Sequence, residues 1–228
     1  DNIRAIAVEI LGKVETGAHA DTLLARWGQR STPDGRLLRE IVLGTLTWQC
    51  RLDYHLDAYL KRPIAKQKRP IRSLLRSGAY QILHLDRVPG YAVVSECVDL
   101  SRRYGKGVSG LVNAVLRGLS ENRKSVTPPN VDRKPLDHLA VTCSHPRWLV
   151  QRWLDRYGFD QTQSLCEAGN TRPPITIRTN QSRTSPEELE AALQVAGVEA
   201  VPITDLEGFL TIGAPSGLFE TDAFISGW

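Results

Sequence analysis

Apolar residues return at three- and four-residue intervals through one segment after another in the first half of this 228-residue chain. That spacing gathers them on one face of a helix, and successive faces of this kind find water-free cover only against each other. Residues Ile3, Ile6, Ala7, Ile10, Leu11 and Val14 make the first such face. Asp21 opens a short helix through Leu23, Leu24 and Trp27, and Pro33-Asp34-Gly35 reads as punctuation. Leu37, Leu38, Ile41, Val42 and Leu46 continue the pattern; after a break come Leu52, Leu56 and Tyr59-Leu60. Ile71 to Leu83, Val93 to Leu100 and Leu111 to Leu119 complete it. No convincing strand precedes about residue 125, so an all-α bundle with short connections is predicted.

The pattern then changes. Residues 121–136 are polar and carry Pro128-Pro129 and Pro135, as a linker does. A helix is predicted from His145 to Tyr157, with Trp148, Leu149, Trp153 and Leu154 on one face, and Asp160 is read as the cap of the next. Pro173-Pro174 introduces the β-branched run from Ile175. Ser185-Pro186-Glu187-Glu188 is a strong helix start, and short strands are predicted near 198–203 and 208–212. The predicted organisation is therefore mainly α: a helical domain over 1–124, a linker over 125–140, and a small α+β domain over 141–228.

Charge divides along the same line. Residues 1–124 hold 21 Lys and Arg against 12 Asp and Glu, whereas residues 125–228 hold 8 against 13. A basic half beside an acidic one points to two units with different tasks, the basic one suited to a polyanion. Its densest cluster is Lys61, Arg62, Lys66, Lys68, Arg69, Arg72 and Arg76, with no acid from 61 to 76. Seven cations without counter-charges repel one another unless an anion neutralises them, so nucleic acid is the expected ligand. The plainer reading is a solvated basic face. Arg102, Arg103 and Lys106 form a second, weaker cluster.

Other motifs carry less. Gly105-Lys106-Gly107-Val108-Ser109-Gly110 fits GxGxxG, but a helix rather than a strand precedes it, so a tight interhelical turn is expected, with no nucleotide cradle. Cys143-Ser144-His145 offers a thiol beside an imidazole, yet adjacent side chains rarely face each other; Ser144 is read as a helix N-cap. Asn170, Arg178 and Asn180 bracket the first strand, either meeting RNA or satisfying turn backbone. The tryptophans are expected in the core or at interfaces. The four cysteines, at 50, 97, 143 and 166, form no CxxC pair and suggest neither a zinc ribbon nor a disulfide framework. No metal site, catalytic residue or membrane-spanning stretch is predicted, and the cytoplasm is the expected compartment.

Three strings resemble the NusB-type helical domain: Gly44-Thr-Leu-Thr-Trp-Gln-Cys-Arg-Leu-Asp53, Leu74-Leu-Arg-Ser-Gly-Ala-Tyr-Gln-Ile-Leu83 and Gly110-Leu-Val-Asn-Ala-Val-Leu-Arg117. Two more, Cys143-Ser-His-Pro-Arg-Trp-Leu-Val150 and Asn170-Thr-Arg-Pro-Pro-Ile-Thr-Ile-Arg-Thr-Asn180, with the later Gly208-Phe-Leu, are similar to the middle segment of the bacterial 16S rRNA cytosine-5 methyltransferase B (Sun/Fmu) family. The resemblance implies a role in holding small-subunit ribosomal RNA for a following catalytic domain that uses S-adenosylmethionine. It implies no catalytic residue and no cofactor within these residues, because none of the four cysteines stands in the family's catalytic motif. A NusB-like antitermination module, docking a ribosomal protein, is the alternative.

Overall fold

The predicted helices form, each closing against its neighbours through the face the spacing marked. The computed structural model describes residues 2–27, 32–123, 126–171, 173–213 and 217–228. Its helices run α1 (Ile3–Val14), α2 (Ala20–Trp27), α3 (Pro33–Thr47), α4 (Gln49–Asp57), α5 (Arg69–His84), α6 (Gly90–Ser101), α7 (Val108–Glu121), α8 (Pro135–Thr142) and α9 (Arg147–Gly169). By contact the chain divides into two units, residues 1–170 and 171–228. In the first, α5 is the central helix: Ser73 through Ile82 are all buried, and α1, α3, α4, α6 and α7 pack around them. One apolar cluster joins Leu52, Leu56, Leu74, Leu75, Val93, Val112 and Leu116; a second joins α1, α2 and α3 through Ile10, Leu24, Leu38 and Ile41.

Local chemistry sets the boundaries, sometimes against the sequence reading. Asn2 caps α1, its Oδ1 accepting from Arg4 N at 2.9 Å. Pro33-Asp34-Gly35, read as a punctuating turn, instead begins α3, with Thr32 as the cap and Pro33 at the first helical position. Ser144 caps no helix. It sits at φ 56°, just past the end of α8, where the His145 N–H reaches back to Ala140 O at 3.1 Å. That is the left-handed position closing a helix C-terminus, usually given to glycine. The Ser144 Oγ accepts instead from Arg51 N at 3.3 Å.

The proline-punctuated segment around 126–136 is tied down, not slack. Tyr54 Oη donates to Thr127 O at 2.9 Å, and His138 Nδ1 lies 2.8 Å from Pro129 O. Helix α8 packs on α4 and α9 packs on α8, so the contact boundary falls at residue 170, later than the 125–140 linker expected from composition; residues 124–125 lie outside the described residues. Helix α9 breaks at Gly158 (φ 73°, ψ −176°), slightly before the cap expected at Asp160. Of the tryptophans expected in the core or at interfaces, Trp48 and Trp153 pack against core clusters, whereas Trp27, Trp148 and Trp228 are exposed.

Three aromatic rings stack where α3, α4 and α5 meet. His84 lies between Trp48 and Tyr80, with centroids 4.9 and 5.2 Å away. Tyr80 Oη donates to Glu40 Oε1 at 2.5 Å, and its ring occupies the space where Gly44 has no Cβ. Burial, helped by the nearby Arg51 charge, lowers the His84 pKa to about 4. A histidine whose folded pKa is depressed favours the folded state above its unfolded value, about 6.5, and loses that support as pH falls toward 4. The urea midpoint is therefore expected to drop between pH 7 and 4.5, with a shallower fall in His84→Phe, which keeps the stack without the proton. Equal slopes in the two proteins would assign the acid sensitivity elsewhere.

The second unit carries β1 (Ile175–Arg178), α10 (Pro186–Val195), β2 (Ala200–Pro202), β3 (Phe209–Ile212) and α11 (Asp222–Ile225). The strands form one antiparallel sheet in the order β1-β3-β2, with Ile175 opposite Ile212 and Ala200 opposite Ile212 on the other side. Ser185 and Glu188 complete a reciprocal capping box at the start of α10. Leu189, Leu193, Val198, Leu210 and Ile212 fill the core between helix and sheet.

Candidate nucleic-acid interface

The basic cluster separates into two populations. Arg72 and Arg76 point back into the bundle. Arg72 meets Glu15 through Nε–Oε1 at 2.9 Å and Nη2–Oε2 at 2.8 Å. Arg76, 8% exposed, makes a fork to Asp53 with both contacts at 2.7 Å and a third contact to Glu15 at 2.6 Å. Arg69 approaches Glu15 more loosely, at 3.7 Å. The expectation of seven uncompensated cations is therefore corrected: Glu15, which caps the end of α1, and Asp53 of α4 neutralise Arg72 and Arg76 across the fold. The bond from Arg72 holds the Glu15 carboxyl below its usual range; burial lifts that of Asp53, against the pull of Arg76.

Arg72 has a second task. Its Nη1 donates to Ala65 O at 3.1 Å and Gln67 O at 3.2 Å, fastening the loop ahead of α5. The same loop is pinned by buried Ile64, whose N–H donates to Asp57 Oδ1 at 2.6 Å, and by Gln67 Nε2 donating to Arg62 O at 2.9 Å. Held this way, it presents Lys61, Arg62, Lys66 and Lys68, all exposed and none in an ion pair among the described residues. With its backbone anchored, the loop has little main-chain freedom left to lose when an anion arrives, which favours binding.

One member of each cluster, Arg69 and Arg103, lines the same concavity of about 560 Å³, together with Pro70, Tyr104, Trp27 and residues of α1. Arg103 lies over the Tyr104 ring at 5.5 Å, and Arg102 is engaged by Asp99 at 3.1 Å. Lys106 is exposed in the glycine turn. Gly105 (φ 122°) and Gly107 (φ 83°) make that turn, with α6 ending before it and α7 beginning after it. The geometry is interhelical; a dinucleotide or S-adenosylmethionine cradle needs a strand leading into the glycines, so these residues do not fit that cofactor.

The remaining predicted residues have structural partners. Asn170 Nδ2 donates to Cys143 O at 2.7 Å. Asn180 Nδ2 donates to Gly227 O at 2.9 Å while its Oδ1 accepts from Ser182 at 2.7 Å. Arg178 lies 5.8 Å over the Phe209 ring. His145 Nδ1 lies 2.7 Å from Cys143 O, so its near ring nitrogen is engaged by backbone; burial raises the Cys143 thiol pKa. No nucleophile–base pair results. Two arginines that charge counting passed over, Arg51 and Arg123, line a cavity of their own with His55. Arg51 has no basic neighbour in sequence and Arg123 has only Lys124, so neither stood out as part of a cluster.

Three comparisons bear on this arrangement. Residues 1–121 match the NusB family, and residues 145–217 match the RsmF/B-like methyltransferase ferredoxin-like domain. The "Probable ribosomal RNA small subunit methyltransferase B" of Bacillus subtilis (strain 168) is 34% identical over 203 residues, covering 87% of this chain and 45% of that protein. The "Ribosomal RNA small subunit methyltransferase B" of Vibrio cholerae is 30% identical over 230 residues, covering 100% of this chain and 51% of that one. The chain thus spans about half the length of the curated relatives it matches. A solved structure described as PH0851 shares the fold, with a TM-score of 0.67, 20% identity, and coverage of 98% of this chain and 51% of that one.

Proposed function

The chain belongs to the NusB family over residues 1–121, and on that premise we propose that it is the RNA-engaging front region of a 16S rRNA (cytosine-5) methyltransferase. Its task is to hold small-subunit ribosomal RNA for a methyl-transferring domain, in the cytoplasm. S-adenosylmethionine would be bound outside the residues described. The observation that carries this reading is the anchored loop with Lys61, Arg62, Lys66 and Lys68 exposed and unpaired among the described residues. The ferredoxin-like match after the helical unit favours it over an antitermination module.

Binding of a labelled small-subunit rRNA hairpin across a salt series tests it. The parent chain is expected to bind with a steep salt slope, because each phosphate contact releases counterions. Changing Lys61, Arg62, Lys66 and Lys68 to Gln is expected to cost roughly a hundredfold in affinity at low salt and to flatten the slope by about three. Arg72 and Arg76 are left intact, so the fold is not put at risk. A variant that binds as well as the parent would reduce the loop to a solvated face; the helices would then be read as docking a protein.

A further inference from the structure

The cavity beside α4 has the composition of an anion site. Its volume is about 420 Å³, and Arg51, Tyr54 and His55 of α4, Arg123 after α7, and Val126 and Pro128 of the following segment line it, with Val141 and Thr142 of α8. No carboxylate is among these lining residues. Both arginines are half-buried, and neither forms an ion pair among the described residues. The Arg51 guanidinium rests over the Trp48 ring at 5.5 Å, which fixes its plane without neutralising its charge. A half-buried cation without a counter-ion is costly, and two facing one hollow are costlier still.

A second observation is independent of charge. His55 is 8% exposed, and its Nδ1 is buried without any hydrogen-bond partner. A buried ring nitrogen without a partner is an unmet polar group on the wall of this cavity. Burial and the Arg51 charge both lower the His55 pKa, as expected where positive potential collects unopposed. Tyr54 Oη is already committed to Thr127 O at 2.9 Å; that bond holds the 126–128 segment at the cavity edge.

We propose that Arg51 and Arg123, with His55 on the same wall, form a phosphate-binding pocket in which the two guanidinium groups grip the phosphate oxygens. Guanidinium forks match phosphate oxygens in pairs, which a single ammonium cannot do. The volume admits a nucleotide, not only a bare ion. Resting on the RNA-binding reading, the natural source is a backbone phosphate of the bound RNA, at a place separate from the Lys61–Lys68 loop. The same chemistry would accept a free mononucleotide.

The test compares the parent chain with Arg51→Gln/Arg123→Gln in two arms. In the first, hairpin binding is measured across a salt series. The double variant is expected to lose about tenfold or more in affinity, with the slope shallower by about one, as for the loss of a single phosphate contact. In the second, thermal unfolding is followed with added inorganic phosphate or uridine monophosphate; the parent is expected to gain stability and the variant not. Arg51→Gln removes the contact with Trp48, so Arg123→Gln alone is carried alongside, and Arg51→Lys/Arg123→Lys should restore part of the binding. If the parent binds RNA and both Gln variants bind it equally well, the RNA reading stands and the pocket is overturned. If the parent binds no RNA, the functional reading fails; a rise in melting temperature with uridine monophosphate that both Gln variants lack would keep the pocket, with the free nucleotide as its ligand. Displacement by a glutamate-rich peptide but not by uridine monophosphate would also overturn it, in favour of an acidic protein partner.

Discussion

Arg76→Ala is expected to lower the unfolding free energy of the helical unit by about 3–5 kcal/mol, enough to move its melting temperature down by roughly 10 °C. The loss comes less from the missing attraction than from what stays behind. Asp53 is largely buried beside α5, and even with Arg76 in place burial holds its pKa above the normal value. Without the guanidinium it must carry an unpaired charge in a poor solvent or take up a proton on folding. Glu15 keeps Arg72 at 2.8 Å and is less affected. Chemical denaturation at neutral pH reads the effect, and its pH dependence identifies the cause. The deficit should shrink as pH falls toward the raised Asp53 pKa, because protonation then removes the stranded charge. Replacing both partners by apolar residues of similar size should recover much of the loss. A cost below about 1 kcal/mol, typical of an exposed pair, would show that the network is solvated after all.

Gly44→Ala is expected to destabilise by about 3 kcal/mol, although the same change in an exposed helix would stabilise by about 1 kcal/mol. A Cβ at this position overlaps Cζ and Oη of Tyr80, whose ring is 4% exposed and bonded through its hydroxyl to Glu40. The ring cannot step aside without leaving His84, which it stacks at 5.2 Å. Two readouts should therefore move together: the denaturation midpoint falls, and the His84 pKa climbs from about 4 toward its ordinary range. An Ala variant as stable as the parent, with His84 unmoved, would mean that α3 and α5 do not approach as closely as described.

The helices were legible because three-and-four spacing states both the element and its buried face. The same spacing misled at Arg72 and Arg76. Both lie within the helix whose neighbours Ile71, Leu75 and Ala79 are buried, and that adjacency was the signal that they too turn inward. Counting acids only from 61 to 76 hid Glu15 and Asp53, since ion pairing follows distance in space and not along the chain. Trp148 failed for a related reason: helical spacing names a face but not whether any partner covers it. Ser144 is legible in the sequence as a helix-terminal residue, but not which helix it ends, because a short polar side chain serves at either end. The Arg51, Arg123 and His55 grouping had no local signature at all. It exists only after α4 and the segment following α7 have packed.

The small sheet of the second unit has a bearing on solution behaviour. Its order, β1-β3-β2, leaves β1 and β2 each with one flank unpaired within the sheet. Such flanks recruit strands from other molecules and seed aggregation unless something interrupts them. Here Pro173-Pro174 stands immediately ahead of β1, and Pro202 is the last residue of β2. Neither offers a backbone hydrogen to an incoming chain, and both strands are too short to compensate. Prolines that look like simple turn-makers in the sequence thus also limit how far an incoming strand could pair along either flank.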